Sequence, residues 1–120
     1  MIPFEGSDEE SACHLFVVIL ERGVSRKLVM SRMMERGIQT SIHYPPTHRF
    51  TFFRRAFPET ADLKITDDIG NRLLTLPLFP DMSREQVNLV CSALRDAVQD
   101  LPGAAQDRED QTAGTNTIPR

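Results

Sequence analysis

From His14 to Leu20 (His-Leu-Phe-Val-Val-Ile-Leu) the chain is almost continuously apolar and rich in β-branched residues. Such a run suits a strand covered on both faces or lying centrally in a sheet, closed here by Gly23. Ser25 can then cap a helix to about Arg36. Leu28, Val29, Met33 and Met34 recur near helical spacing, and Gly37 stands where a C′ glycine belongs. Met30, Met33 and Met34 suit an adaptable packing surface, with ordinary core as the plainer reading. Thr40 to Tyr44 predicts a second short strand, and residues 49–58 predict an irregular segment. Ile65, Ile69 and Leu73, spaced i, i+4, i+8, predict a helix over about 66–73, weakened by Gly70. Leu74 to Phe79 predicts a third strand. Its Pro77 argues for an edge, or for a side whose N–H is not needed. Ser83 opens the clearest helix: with Gln86 it forms a capping box, and Val87, Val90, Cys91, Leu94, Ala97, Val98 and Leu101 make one stripe. Pro102 and Gly103 end it.

The expected order is β-α-β-loop-α-β-α. That implies an α/β fold, a two-layer sandwich with a small, about three-stranded sheet and helices packed on it. Residues 1–11 read as a loose acidic lead-in, 12–101 as one domain, and 102–120 as a disordered tail with Ile118 its only large apolar side chain after residue 103.

Composition narrows the classes. The chain has 120 residues, room for one domain. A net charge of -3 gives no overall pull toward nucleic acid or acidic lipid. No apolar run approaches the ~20 residues of a membrane helix, and the first ten residues lack a signal-peptide core. These features read as a cytoplasmic protein. Cys13 and Cys91 form no motif. Cys91 is expected on the apolar face of the last helix, and both thiols read as structural and reduced.

The residues best suited to chemistry are His43, Tyr44 and His48, delivered into a loop stiffened by Pro45 and Pro46. Proline fixes φ and bars a helix, so two imidazoles and a phenol are held in place where they can bind or relay protons. A solvated turn is the alternative. Arg49, Arg54 and Arg55 stand among Phe50, Phe52, Phe53 and Phe57. Forks between aromatic faces can hold a phosphate and stack a base, or the loop can simply bury its rings and solvate its arginines. Other chemistries are poorly supported. No serine sits in a Gly-x-Ser-x-Gly elbow, Cys13 and His14 point to opposite faces of a strand, and the six glycines are scattered. His43 and His48 lack further ligands for a metal. The carboxylates, Asp67-Asp68 and Glu9-Glu10 among them, read as solvated charge.

Gly37-Ile38-x-Thr40-x-x-His43-Tyr44-Pro45 with His48, then Leu74-Thr75-Leu76-Pro77-Leu78-Phe79-Pro80 and a capped helix, resemble the C-terminal domain of DegT/DnrJ/StrS-type aminotransferases. His14-Leu15-Phe16 fits that family's entry strand, and the match spans about residues 11–100. Within the family, the segment around His48 and the Phe79-Pro80-Asp81-Met82 turn are most similar to the UDP-4-amino-4-deoxy-L-arabinose aminotransferases of lipid A modification. The resemblance implies the small domain of a fold-type-I pyridoxal-phosphate enzyme that moves an amino group from glutamate to a keto-sugar on a nucleotide carrier. It implies a substrate-side role for His43, Tyr44, His48 and Arg49. It also implies a partner, the large domain that binds pyridoxal phosphate. One departure is Phe50, where the family often carries a glutamine two residues after the second histidine. The amide's hydrogen bond is then absent.

A transaminase also needs a lysine that condenses with the cofactor. The only lysines are Lys27 and Lys64, and neither matches the family's cofactor lysine. The expectation is therefore no catalytic residue, no cofactor-binding residue and no metal ligand in this chain. No pyridoxal phosphate is expected on it alone. Two other readings stay open: a stand-alone module for a nucleotide-sugar or a protein, and a remnant that binds nothing. Unpaired apolar surface would favour self-association.

Overall fold

Val17, Val18 and Ile19 give the first strand its extended backbone, because β-branched side chains fit a pleated, half-buried surface. In the computed structural model, which describes residues 1–3, 5–6, 12–60, 62–99 and 101, that strand is β1, Phe16–Ile19. It pairs antiparallel with β2, Leu73–Leu76, in a register running from Phe16 opposite Leu76 to Ile19 opposite Leu73. The Leu20 N–H extends the ladder to the Arg72 carbonyl at 3.0 Å, and Met1 exchanges backbone bonds with Ile19 on the outer edge of β1. The helices are α1, Arg26–Glu35; α2, Thr51–Ala56; α3, Lys64–Arg72; and α4, Arg84–Gln99. Short 3-10 turns cover Thr47–Arg49 and Pro58–Thr60. The expected tail at 102–120 and residues 7–11 of the lead-in lie outside the described residues.

The α/β class stands, but the three-stranded sheet is reduced to two strands. Thr40 to Tyr44 contributes one residue: Ser41 exchanges both backbone bonds with Thr75, at 2.8 and 3.0 Å, on the open edge of β2. The strand ends there for a local reason. Pro45 and Pro46 have no N–H to continue a ladder. β2 likewise stops at Leu76, short of the expected Phe79, so the missing N–H of Pro77 never meets a partner strand.

One face of the sheet carries Val18, Leu20, Leu74 and Leu76. These pack with Val29 and Met33 of α1, with Ile38, and with Val90, Ala93, Ala97 and Leu101. Val29, Met33 and Leu74 are fully buried. Removing each such side chain from water contributes about 1.5–3 kcal/mol. Helix α1 runs antiparallel to α4. Arg32 donates to the Ala97 carbonyl at 3.1 Å, and one turn on Arg36 donates to the Ala93 carbonyl at 3.1 Å and to Asp96 at 3.0 Å. Alanines at 93 and 97 keep the facing surface low, so guanidinium groups reach backbone on the next helix.

All three caps form as the sequence predicts, Ser25 Oγ accepting from the Leu28 N–H at 3.5 Å. Gly37 has φ of 72°; its N–H bonds the Met34 carbonyl at 2.8 Å, and that of Ile38 bonds the Met33 carbonyl at 2.9 Å, a Schellman turn. Ser83 Oγ accepts from the Gln86 N–H at 3.3 Å while Gln86 Oε1 accepts from the Ser83 N–H at 2.9 Å. Three details differ from expectation. Val87 and Cys91 are exposed and Ala93 is buried, so the packed stripe of α4 centres on its alanine row. Helix α3 begins at Lys64, and Ile65 is 78% exposed because the face of α3 turned to the protein is the one carrying Asp67 and Gly70. Residues 51–56, expected to be irregular, are helical with every side chain exposed. Among the described residues, no helix is long and apolar enough to cross a membrane.

Candidate functional site

The Schellman turn at Gly37 sends Ile38 into the core and the following residues along β2 as far as Ser41. Ser41 Oγ is hydrogen-bonded to His43 Nδ1 at 3.1 Å. The His43 and Tyr44 rings meet edge to face, 5.0 Å between centroids at 86°, across a cis peptide bond. His43 is half-buried, and Tyr44 is 67% exposed. The pair therefore presents a phenol and a supporting imidazole at the surface, with Ser41 behind them.

His48 and Arg49 face another way. His48 is only 5% exposed, and its Nε2 lies 3.0 Å from Asp67 Oδ1. Arg49 Nε donates to the same oxygen at 2.7 Å, and its terminal nitrogen donates to Oδ2. The Arg49 hydrogen bond, acting against partial desolvation, holds the Asp67 carboxyl below the usual carboxylate range, and Asp67 in turn raises the Arg49 guanidinium. An ionised carboxylate only accepts, so His48 donates through Nε2–H. Between the two groups, the Pro46 ring lies against Gly70: a Cβ at Gly70 would stand 2.5 Å from Pro46 Cγ. The four candidate residues are thus divided. His43 and Tyr44 point outward, whereas His48 and Arg49 fasten the loop to α3.

The groups that do the fastening are not evident in the sequence, where Asp67 reads as a solvated carboxylate and Gly70 as a weak point in a helix. Their spacing of three on one helix face, opposite a proline loop with a histidine and an arginine, is the signal that could have found them. Arg26 of α1 donates to the Gly70 and Leu73 carbonyls at the end of α3. Asp68 pairs with Arg72 at 2.7 Å and with Arg22 at 3.1 Å. Chiefly through Arg72, that carboxyl is lowered to about 2.

The Phe/Arg segment keeps its rings outside. Phe52 and Phe53 meet edge to face at 5.4 Å, Phe53 and Phe57 stack at 6.3 Å, and Phe50, Phe52, Phe53 and Phe57 are all exposed. An open apolar groove runs between Ile38, Phe79, Met82, Leu89 and Val90, and it shares no lining residue with the His43–Arg49 loop. Among the described residues, no three His, Cys, Asp or Glu side chains are grouped to hold a metal. Lys27 is exposed on α1. The Lys64 side chain is 85% exposed and 3.6 Å from Asp62. A Schiff-base lysine is usually desolvated or set beside a second cation to free its amine. These two amines are solvated, so the described residues do not fit pyridoxal phosphate, and no step through it is derived for this chain.

The fold matches solved aminotransferase structures. PseC of Helicobacter pylori, an aminotransferase involved in pseudaminic acid biosynthesis, superposes with a TM-score of 0.67 at 22% identity, over 73% of this chain and 24% of that one. The putative sugar aminotransferase Spr1654 of Streptococcus pneumoniae, in its PMP form, gives 0.65 at 20% identity over 72% and 22%. A DegT/DnrJ/EryC1/StrS aminotransferase from Brucella abortus gives 0.65 at 20% identity over 81% and 26%. The chain thus spans about a quarter of the length of these structures. The family model for DegT/DnrJ/EryC1/StrS aminotransferases matches residues 1–95, most of the polypeptide. On that match, the chain belongs to the DegT/DnrJ/EryC1/StrS aminotransferase family.

Proposed function

We propose that residues 12–101 form the small domain of a nucleotide-sugar aminotransferase and supply one wall of its substrate cleft. The parent reaction is amino transfer from glutamate to a keto-sugar, with pyridoxal phosphate held by a large domain outside residues 1–120. The observation that carries the reading is the exposed Tyr44 phenol braced edge-on by His43. A tyrosine ring offers a face for a sugar or a base and a hydroxyl for a phosphate or a ring oxygen. His43, fixed from behind by Ser41, supplies a second polar edge. His48 and Arg49 contribute to the same wall by holding the loop.

Titration of the chain with UDP-glucose, followed by amide NMR, tests this. Shifts at His43 and Tyr44 without any cofactor support it, and an unmoved pair sinks it. The same titration separates a second reading, a binding module built on Phe50, Phe52, Phe53 and Phe57 with Arg54 and Arg55, which predicts shifts confined to 49–57. The exposed rings also support self-association. Sedimentation that gives a strict monomer at high concentration counts against it. No shift in cofactor absorbance is expected when pyridoxal phosphate is added to this chain alone.

A further inference from the structure

We propose that Asp67 and Gly70 of α3 are positioning residues that set where the His43–Tyr44 pair stands. The inference rests on the functional reading above only for what that pair touches. The pair lies between two anchors. Upstream, Ser41 is fixed to β2 through two backbone bonds and holds His43 through its hydroxyl. Downstream, the chain is fixed to one face of α3. Asp67 takes His48 on Oδ1 and Arg49 on both oxygens, and Gly70, three residues on, receives the Pro46 ring. Only residues 42–45 span the gap, and Pro45 is already rigid. Movement of either anchor therefore transfers to the tyrosine.

The downstream anchor is built for placement. An exposed arginine–aspartate pair alone is worth little. Here the carboxylate is shared with an imidazole that is almost wholly buried, so its loss strands a buried N–H. The contact at Gly70 leaves no room for a side chain, so the distance from loop to helix is fixed by contact between ring and backbone. Arg26 holds the end of α3 to α1, which ties the anchor to the buried core. Ligand-binding groups lose much of their effect when displaced by about 1 Å.

The test is amide and aromatic NMR on the whole chain, wild type against Asp67→Ala, Asp67→Asn and Gly70→Ala, with UDP-glucose as the probe. In Asp67→Ala the amides of His43, Tyr44 and Thr47 and the Tyr44 ring should shift or broaden, while Val18, Val29, Met33, Leu74 and Val90 keep their wild-type positions. Asp67→Asn retains one oxygen able to accept, so it should restore part of the pattern. Gly70→Ala should disturb the same residues by pushing Pro46 away. UDP-glucose binding should weaken roughly tenfold in Asp67→Ala, the equivalent of about 1.4 kcal/mol. An unmoved 43–47 segment in Asp67→Ala overturns the proposal, as do changes spread equally over the core. If Gly70→Ala does not fold, the Asp67 pair decides alone. If wild type shows no UDP-glucose shifts at His43 and Tyr44, the functional reading fails, and the loop resonances still decide the anchors.

Discussion

Val29, Met33 and Leu74 have no exposed surface, whereas no side chain of Thr51–Ala56 is buried. The first group lies between the sheet and the α1–α4 pair. The second lies on the arm formed by the proline loop, α2 and α3, which is held by Asp67, Asp68 and the arginines around them. Dispersion and apolar burial are non-directional and fix a shape against small changes. Bonds from guanidinium to carboxylate are directional and few, so they fix one segment relative to another and can be undone singly. The candidate site sits on the second kind of construction.

The comparison can be broken most forcefully from the core. Met33→Ala should cost about 2–5 kcal/mol through lost burial and the cavity left behind. Urea denaturation measures it, and a loss below 1 kcal/mol would mean the core is not the stabilising half. Gly37→Ala comes next. Nothing lies near its Cβ, but the left-handed φ disfavours any L side chain, so a loss of about 1–2 kcal/mol should appear in the same melts. Ser83→Ala removes one half of the capping box and should cost about 1 kcal/mol. The arm responds to acid. With Asp68 at about 2 against an ordinary 3.8, its contribution to stability is complete above the ordinary value and lost as pH falls through 2. Wild type should therefore lose more melting temperature between about pH 4 and 2 than Asp68→Asn, whose residue there cannot titrate; equal losses would place the acid sensitivity elsewhere. Phe52→Ala should be smallest in stability, within about 0.5 kcal/mol, while reducing self-association in sedimentation.

Local signals were the legible ones. Ser25, Gly37, Ser83 and Gln86 act on backbone groups within four residues of themselves, so their roles follow from spacing alone. The Thr40–Tyr44 strand shrank to Ser41 because its partner is thirty-odd residues away and the prolines after it end the pairing. The stripe expected on α4 holds Val90, Leu94, Ala97, Val98 and Leu101, which do pack on the core, but it takes in the exposed Val87 and Cys91 and leaves out the buried Ala93. The observed packing centres on Ala93 and Ala97, where close approach lets Arg32 and Arg36 reach carbonyl groups. In the candidate site, His43 and Tyr44 were marked by the prolines beside them. Asp67 and Gly70 were not, since an exposed-looking acid and a helical glycine acquire meaning only once the loop lies over them.

The packing of α1 against α4 and of β1 against β2 joins the beginning of the domain to its end. On a ribosome, Val29 and Met33 emerge long before Ala97 and Leu101 exist to cover them. Until residues 97–101 follow, the nascent domain carries an uncovered greasy stripe, and chaperone occupancy during translation is the natural place to see it.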